Sequence, residues 1–162
     1  MDEKDQINLF LTDIFSSILT LEEEFIATVN RDHTPGISVT EAHIIEKVGL
    51  DQSQRMGDLA AGLGVTMPTM TIAIERLCRK GLVQRRRSEQ DRRVVNISLT
   101  DPGRQIFLLH QIFHEKLVEN LTAALSDAEI AQLQSFLGRI NHFFTDLVGK
   151  GILAQQVLED LE

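Results

Sequence analysis

The sequence predicts a mainly α fold with a small β-hairpin wing: a winged helix-turn-helix flanked by N- and C-terminal dimerisation helices. Three observations carry this. Apolar residues recur at steps of three and four over long stretches, and the chain has only 3 prolines, the pattern of helices with one buried face. Between residues 63 and 103 a helical segment with a small polar first turn is followed by two short β-branched runs. The same stretch holds the positive charge. Residues 76 to 93 carry Arg76, Arg79, Lys80, Arg85, Arg86, Arg87, Arg92 and Arg93 against Glu89 and Asp91, a local +6 on a chain of net −8, which leaves −14 elsewhere. Salt screens charge beyond about 10 Å, so a basic segment can bind phosphate on an otherwise acidic chain.

Length and composition narrow the class. A chain of 162 residues suits one domain with helical extensions. An apolar share of 43% argues against disorder. No run reaches the roughly 18 apolar residues of a membrane span, and the polar start MDEKDQIN lacks a signal core, so a cytoplasmic location is expected. The single cysteine, Cys78, provides no disulfide framework. A P-loop, a dinucleotide glycine motif, a nucleophile elbow and HExxH are all absent from the sequence; neither an enzyme nor a cofactor is expected.

In chain order, three divisions are predicted: residues 1–37 as an N-terminal dimerisation helix, 38–100 as the winged helix-turn-helix, and 101–162 as C-terminal dimerisation helices. Over residues 6 to 30, Ile7, Phe10, Leu11, Ile14, Phe15, Ile18, Leu21, Phe25 and Val29 form one stripe, long for a helix that merely covers a small core. Pro35 and Gly36 break it. Ser38 and Glu41 form a capping box that opens a short helix to about Val48, with Gly49 at its end. Another short helix covers about 56 to 63.

Thr66 is a good N-cap for the next helix, with Pro68 in its first turn. It runs to about Lys80, with Gly81 after it. Met70, Ile74, Leu77 and Cys78 lie on one side, and Thr66, Thr69, Thr71, Glu75, Arg76 and Arg79 mostly on the other. Two helices joined by a tight glycine-containing turn make a helix-turn-helix. Residues 82–87 and 94–99 read as strands joined by a polar tip. Thr100 caps a long helix to about residue 125. Ser126 and Glu129 form a second capping box before a last helix to near residue 161, where Ile130, Leu133, Leu137, Ile140, Phe144 and Leu147 average 3.5-residue spacing, a seam for another helix. Both chain ends are therefore expected to build a two-fold homodimer.

A reader helix presents its first turns to base edges in the major groove. Thr66, Pro68, Thr69, Met70 and Thr71 occupy those turns, where hydroxyls meet phosphate or base and methyl groups meet thymine. Arg76 and Arg79 reach for phosphate or guanine. On the wing, Arg85, Arg86, Arg87, Arg92 and Arg93 suit phosphates and a narrow A·T-rich minor groove. Asp91 repels phosphate, and a carboxylate–guanidinium pair that orients Arg93 is its expected role. The plainer reading, a solvated charged helix and hairpin, loses ground because the basic turn directly follows the helix-turn-helix pattern.

The stretch GVTMPTMTIAIERLCRKGLVQRRRSEQDRRVVNISLTDPG resembles the MarR family of winged helix-turn-helix repressors. Asp91, Arg93, Leu99-Thr100 and Gly103, after a reader helix ending in Lys80-Gly81-Leu82-Val83, carry the match. The resemblance implies a homodimer on a palindromic double-stranded DNA operator, with Arg93 in the minor groove and Asp91 anchoring it. A narrower resemblance, to the members of that family that repress bacterial fatty-acid synthesis genes, rests on Ile7-Asn8, Leu11-Thr12, Ile14-Phe15, Glu22-Glu23 and RSEQDRRVV at 87 to 95. It implies repression of type II fatty-acid synthesis genes with long-chain acyl-acyl carrier protein as corepressor. Residues 24 to 35 and the tail after Leu147 depart from that pattern.

Candidate ligand-binding residues are Phe15, Phe25, Ile44, Phe107, His110, Phe113 and His114, and Phe10 joins the phenylalanines as a candidate lining of an acyl tunnel. Ordinary core and seam packing is the plainer reading for any one of them. His110 and His114 stand four apart, at metal-ligand spacing, but a zinc site needs three or four ligands and the sequence places no further one beside them. A polar pair that couples pocket to reader is preferred, and no metal is expected. His33, His43 and His142 stand out in no pattern. Glu22 to Glu24 read as a solvated face, and Cys78 as a small apolar residue. Arg31, Lys47 and Arg104 are candidates for contact with the acidic carrier protein. Two rivals remain: a MarR-type regulator answering a small aromatic acid or drug, and a carrier-protein-binding module without specific DNA reading.

Overall fold

The computed structural model describes residues 2–32, 36–88 and 94–150. Its elements follow in the order α1 (Glu3–Asp32), α2 (Val39–Val48), β1 (Gln54–Arg55), α3 (Met56–Gly62), α4 (Met67–Arg79), β2 (Val83–Arg87), β3 (Val95–Leu99), α5 (Asp101–Thr122) and α6 (Asp127–Lys150). The chain divides into two compact units, Met1–His114 and Glu115–Glu162.

In the first unit, local chemistry sets each helix start. Ser38 Oγ accepts from the Glu41 amide at 3.2 Å, and the Glu41 carboxylate accepts from the Ser38 amide at 2.9 Å, a complete capping box at α2. Asn30, near the end of α1, donates to the Ile37 carbonyl and accepts from the Ile37 amide at 2.8 and 2.7 Å, which fastens α1 to the start of α2. Thr66 caps α4 through the Thr69 amide. The axes of α3 and α4 differ by 111°, a helix-turn-helix angle, and Gly64 takes the turn at φ +64°, where a side chain would be strained.

The core lies under this pair. Ile45, Leu59, Met70, Ile74, Leu77 and Ile97 are almost wholly buried, each drawn from a different turn of α2, α3 or α4, or from the inward side of β3. The sheet has three antiparallel strands in the order β1-β3-β2, with Val83 opposite Leu99, Arg85 opposite Ile97 and Gln54 also opposite Ile97. The sequence pattern predicts only the hairpin. β1 was missed because two residues, Gln54 and Arg55, carry no period-2 alternation; pairing with β3 makes them a strand.

In the second unit, Ser126 and Glu129 form the expected capping box, and hydrogen bonds from Ser126 hold the Glu129 carboxyl below its ordinary value. α6 exposes Phe136, Leu137 and Phe143. The expected continuation towards residue 161 lies outside the described residues. Among the described residues, no single helix is long and apolar enough to cross a membrane.

Candidate nucleic-acid interface

The exposed side of α4 collects Thr66, Met67, Pro68, Thr69, Ile72, Glu75, Arg76 and Arg79. The Thr66 and Thr69 hydroxyls lie 2.9 Å apart at its N-terminus. Thr71 is half-buried and donates to the Met67 carbonyl at 2.8 Å. Met70 needs correction as a base contact. It is 1% exposed and belongs to the core, because it lies one turn before Ile74 on the buried stripe. The apolar side chains on the open face are instead Met67 and Ile72, 47% and 57% exposed; the helical period itself, followed outward from Thr69, puts Ile72 on that side.

Arg85, Arg86 and Arg87 stand exposed on β2. Arg85 Nη1 lies 3.6 Å from Glu75 Oε1 on α4, and Arg86 reaches Gln84. A cleft of about 300 Å³ between the wing base and the first turns of α4 is lined by Arg55, Asp58, Met67, Thr71, Arg85 and Val95 among others. Arg55, on the overlooked strand, thus adds a cation to this face. The expected roles of Asp91, Arg92 and Arg93 fall outside the described residues. Cys78 packs against the core, and burial pushes its thiol up.

The expected ligand residues do not share one place. Phe10 and Phe15 are 62% and 54% exposed on α1, and Phe15 stands about 15 Å of helix axis before Phe25. Ile44 and Phe107 are core residues. Phe25 and Phe113 stack with ring centroids 4.7 Å apart, beside His110. Of the cationic candidates, Arg104 pairs with Asp51 at 2.6 Å, Arg31 donates to Thr28, and Lys47 lines a groove with His43, Glu46, Gly62, Leu63 and His114.

His110 and His114 have more company than the sequence indicated. Glu22 of α1 is 3% exposed, not part of a solvated face, and His110 is 1% exposed. Glu22 Oε1 meets His43 Nε2 at 2.9 Å, His110 Nε2 at 3.6 Å and His114 Nε2 at 3.6 Å. Glu46 Oε2 lies 3.5 Å from His110 Nδ1. The expectation that no further ligand type stands near the pair is therefore corrected: α1 and α2 bring Glu22, His43 and Glu46 to it across long sequence separations, which no local spacing reports. Both ring nitrogens of His110 lack a hydrogen-bond partner among the described residues, each such orphan costing about 1–3 kcal/mol. Burial first, then the neighbouring His114, pushes His110 below the usual imidazole range.

A helix-turn-helix with a basic, exposed second helix and an arginine-bearing hairpin defines the winged helix-turn-helix class of transcription regulator. The sequence pattern of the MarR family matches residues 37–95. The structure of Streptococcus pneumoniae FabT in complex with DNA is similar at 37% identity and TM-score 0.80, covering 90% of this chain and 99% of that one. This protein belongs to the MarR family. A mutant E. coli MarR complexed with operator DNA (22% identity, TM-score 0.66, 86% of this chain and 99% of that one) and S. aureus MepR in a DNA complex (20%, 0.67, 85% and 97%) share the fold.

Proposed function

We propose that this protein is a repressor that binds a palindromic operator as a homodimer and silences fatty-acid synthesis genes, with long-chain acyl-acyl carrier protein as corepressor. The observation that carries the DNA reading is the exposed face of α4, with Thr66, Thr69, Arg76 and Arg79 set beside the arginines of β2. Hydroxyls and guanidinium groups at the start and along the open side of a reader helix suit base edges and phosphates. Likeness to FabT, itself solved with DNA, supports the operator and the pathway. Dimerisation is supported by the apolar side chains on α1, where Ile7, Phe10, Ile14 and Phe15 are all more than half exposed, a patch that a second copy would cover.

The test of the pathway is operator affinity with and without long-chain acyl-acyl carrier protein. Tighter binding in its presence is expected; no enhancement removes the corepressor and leaves the family assignment standing. Arg93→Ala tests the wing, with at least a tenfold loss of operator affinity and an intact dimer expected.

A second reading, regulation by a small aromatic acid, is favoured by one observation. A mainly apolar cavity of about 240 Å³ is lined by Thr40, His43, Ile44, Leu63, Val65, Thr69, Met70 and Ala73. It touches the first turns of α4 and is of a size for a small ring rather than a long chain. Titration of the protein with an aromatic acid such as salicylate, followed by operator affinity, separates the two.

A further inference from the structure

We propose that Ile72 is a specificity-determining residue of the reader helix, and that it reads the C5-methyl group of one thymine in each half-site of the operator. This role rests on the operator reading above, and not on which genes lie beside the operator. Ile72 stands in the second turn of α4 and is 57% exposed. At about 100° per residue it lies about 160° round the helix from Met70 and Ile74, which are both buried, so it points away from the core. It is not among the apolar side chains packed against that core. From Pro68 to Arg79 the exposed residues are Pro68, Thr69, Ile72, Glu75, Arg76 and Arg79. Ile72 sits in the middle of this face, with Thr69 three residues before it and Arg76 four after it as its neighbours on the helix surface.

An isolated exposed isoleucine is ordinary on a solvated surface. In the middle of a reader helix it faces base edges instead. In the major groove those edges offer hydrogen-bond donors, hydrogen-bond acceptors and one apolar group, the thymine methyl. A branched alkyl side chain satisfies neither donor nor acceptor. Against guanine O6 or cytosine N4 it displaces water from a polar group and returns no hydrogen bond. Against a thymine methyl, both partners withdraw apolar surface from water.

The surrounding groups leave this place to Ile72. Thr71 donates to the Met67 carbonyl, the Thr66 and Thr69 hydroxyls engage each other, and Glu75 faces Arg85 of the wing. Met67 is also exposed, but it lines the cleft beside the wing with Arg55, Thr71 and Arg85. Arg76 and Arg79, with the arginines of β2, supply the positive charge that brings the face onto phosphates. Those cations position the helix and carry no base preference on a phosphate, whereas the alkyl group discriminates.

The experiment uses a duplex that the wild-type chain selects from a randomised pool. Its thymines are exchanged one at a time for deoxyuridine, which removes the methyl group and keeps the base pair. The wild-type chain is expected to lose roughly threefold in affinity at one thymine of each half-site, and about tenfold when both are exchanged, the effect of one buried methyl group at each. Ile72→Ala should bind the unmodified duplex more weakly and be indifferent to the exchange at that thymine, while Ile72→Val should keep the preference. Such non-additivity marks two groups in contact. The salt slope of Ile72→Ala should stay that of wild type, because no phosphate contact is lost. The side chain is mostly in solvent, so far-UV circular dichroism and Tm should not move. A wild-type chain insensitive to every exchange, or an Ile72→Ala chain as sensitive as wild type at the same thymine, overturns the role of Ile72 and leaves the operator reading standing. Failure of the wild-type chain to select any duplex overturns both.

Discussion

Lys80, which ends the reader helix, donates a 2.6 Å hydrogen bond to Glu41 Oε2 on α2. The same ammonium donates to the Gly36 carbonyl at 2.7 Å. Glu41 is also the acceptor of the α2 capping box, so one nearly buried carboxylate ties the start of α2 to the end of α4. The side chain of Glu41 is 5% exposed and that of Lys80 22%. Removing the cation strands the acid. Exposed pairs are worth about 0–1 kcal/mol and fully buried ones about 3–5 kcal/mol when one partner is lost; this half-covered pair lies between. Lys80→Met is expected to cost about 2 kcal/mol in urea unfolding. The double variant with Glu41→Gln should cost clearly less than the sum of the singles, and full additivity would mean that the two residues do not interact.

Gly103 gives a sharper case. A Cβ placed there would stand 1.9 Å from the Leu82 carbonyl oxygen, backbone that already accepts from the Thr100 amide. The contact cannot be relieved by a rotamer change, so the first turn of α5 must move away from the turn that joins α4 to β2. Gly103→Ala is expected to destabilise by about 3 kcal/mol or more, at the upper end of overpacking costs. A urea midpoint within error of wild type would show that α5 does not lie this close.

Those two positions mark how far the sequence could be read. Helix starts were legible because caps are local: Ser38 with Glu41, Thr66 with Pro68, and Ser126 with Glu129 each declare themselves within four residues. The buried stripe of α4 is legible from period, but period alone lets Met70, in the first turns of the reader helix, serve either that stripe or DNA, and its burial gives it to the core. β1 was not legible, because its strand character comes from β3, some forty residues away. The histidine cluster was not legible either. Only His110 and His114 are close in sequence; Glu22, His43 and Glu46 join them through the packing of α1 and α2, and a lone buried glutamate looks like its solvated neighbours Glu23 and Glu24 until the helix is docked. The Lys80–Glu41 contact was hidden for the same reason.

Arg85 and Glu75 make opposite predictions for DNA. They face each other at 3.6 Å, Arg85 on the wing and Glu75 on the open side of α4. With Arg85 on a phosphate, Arg85→Ala should weaken binding about equally across sequences. The slope of log K against log salt should fall by about 0.9, the counterion release of one contact. Glu75→Gln should do the reverse in affinity, because it removes a negative charge from a face that meets phosphate and frees Arg85. A salt slope unchanged in Arg85→Ala, measured from about 50 to 200 mM salt, would place Arg85 off the DNA backbone.

The apolar face of α1 predicts the assembly. Phe10 is 62% exposed and Ile14 54%, and the two are neighbours at the four-residue spacing of a helix surface. Neither belongs to the core of its own unit, so replacing them should leave that core intact. Phe10→Lys with Ile14→Lys places two like charges where a two-fold interface would bring in two more from the second copy, and buried unpaired charge is strongly unfavourable. Sedimentation velocity is expected to show the wild-type chain as a dimer and the double variant as a monomer with wild-type far-UV circular dichroism. Operator affinity should fall with it, because a palindrome is read by two linked half-sites. A double variant that stays dimeric would move the interface away from this face of α1 and leave its exposed phenylalanines to another partner.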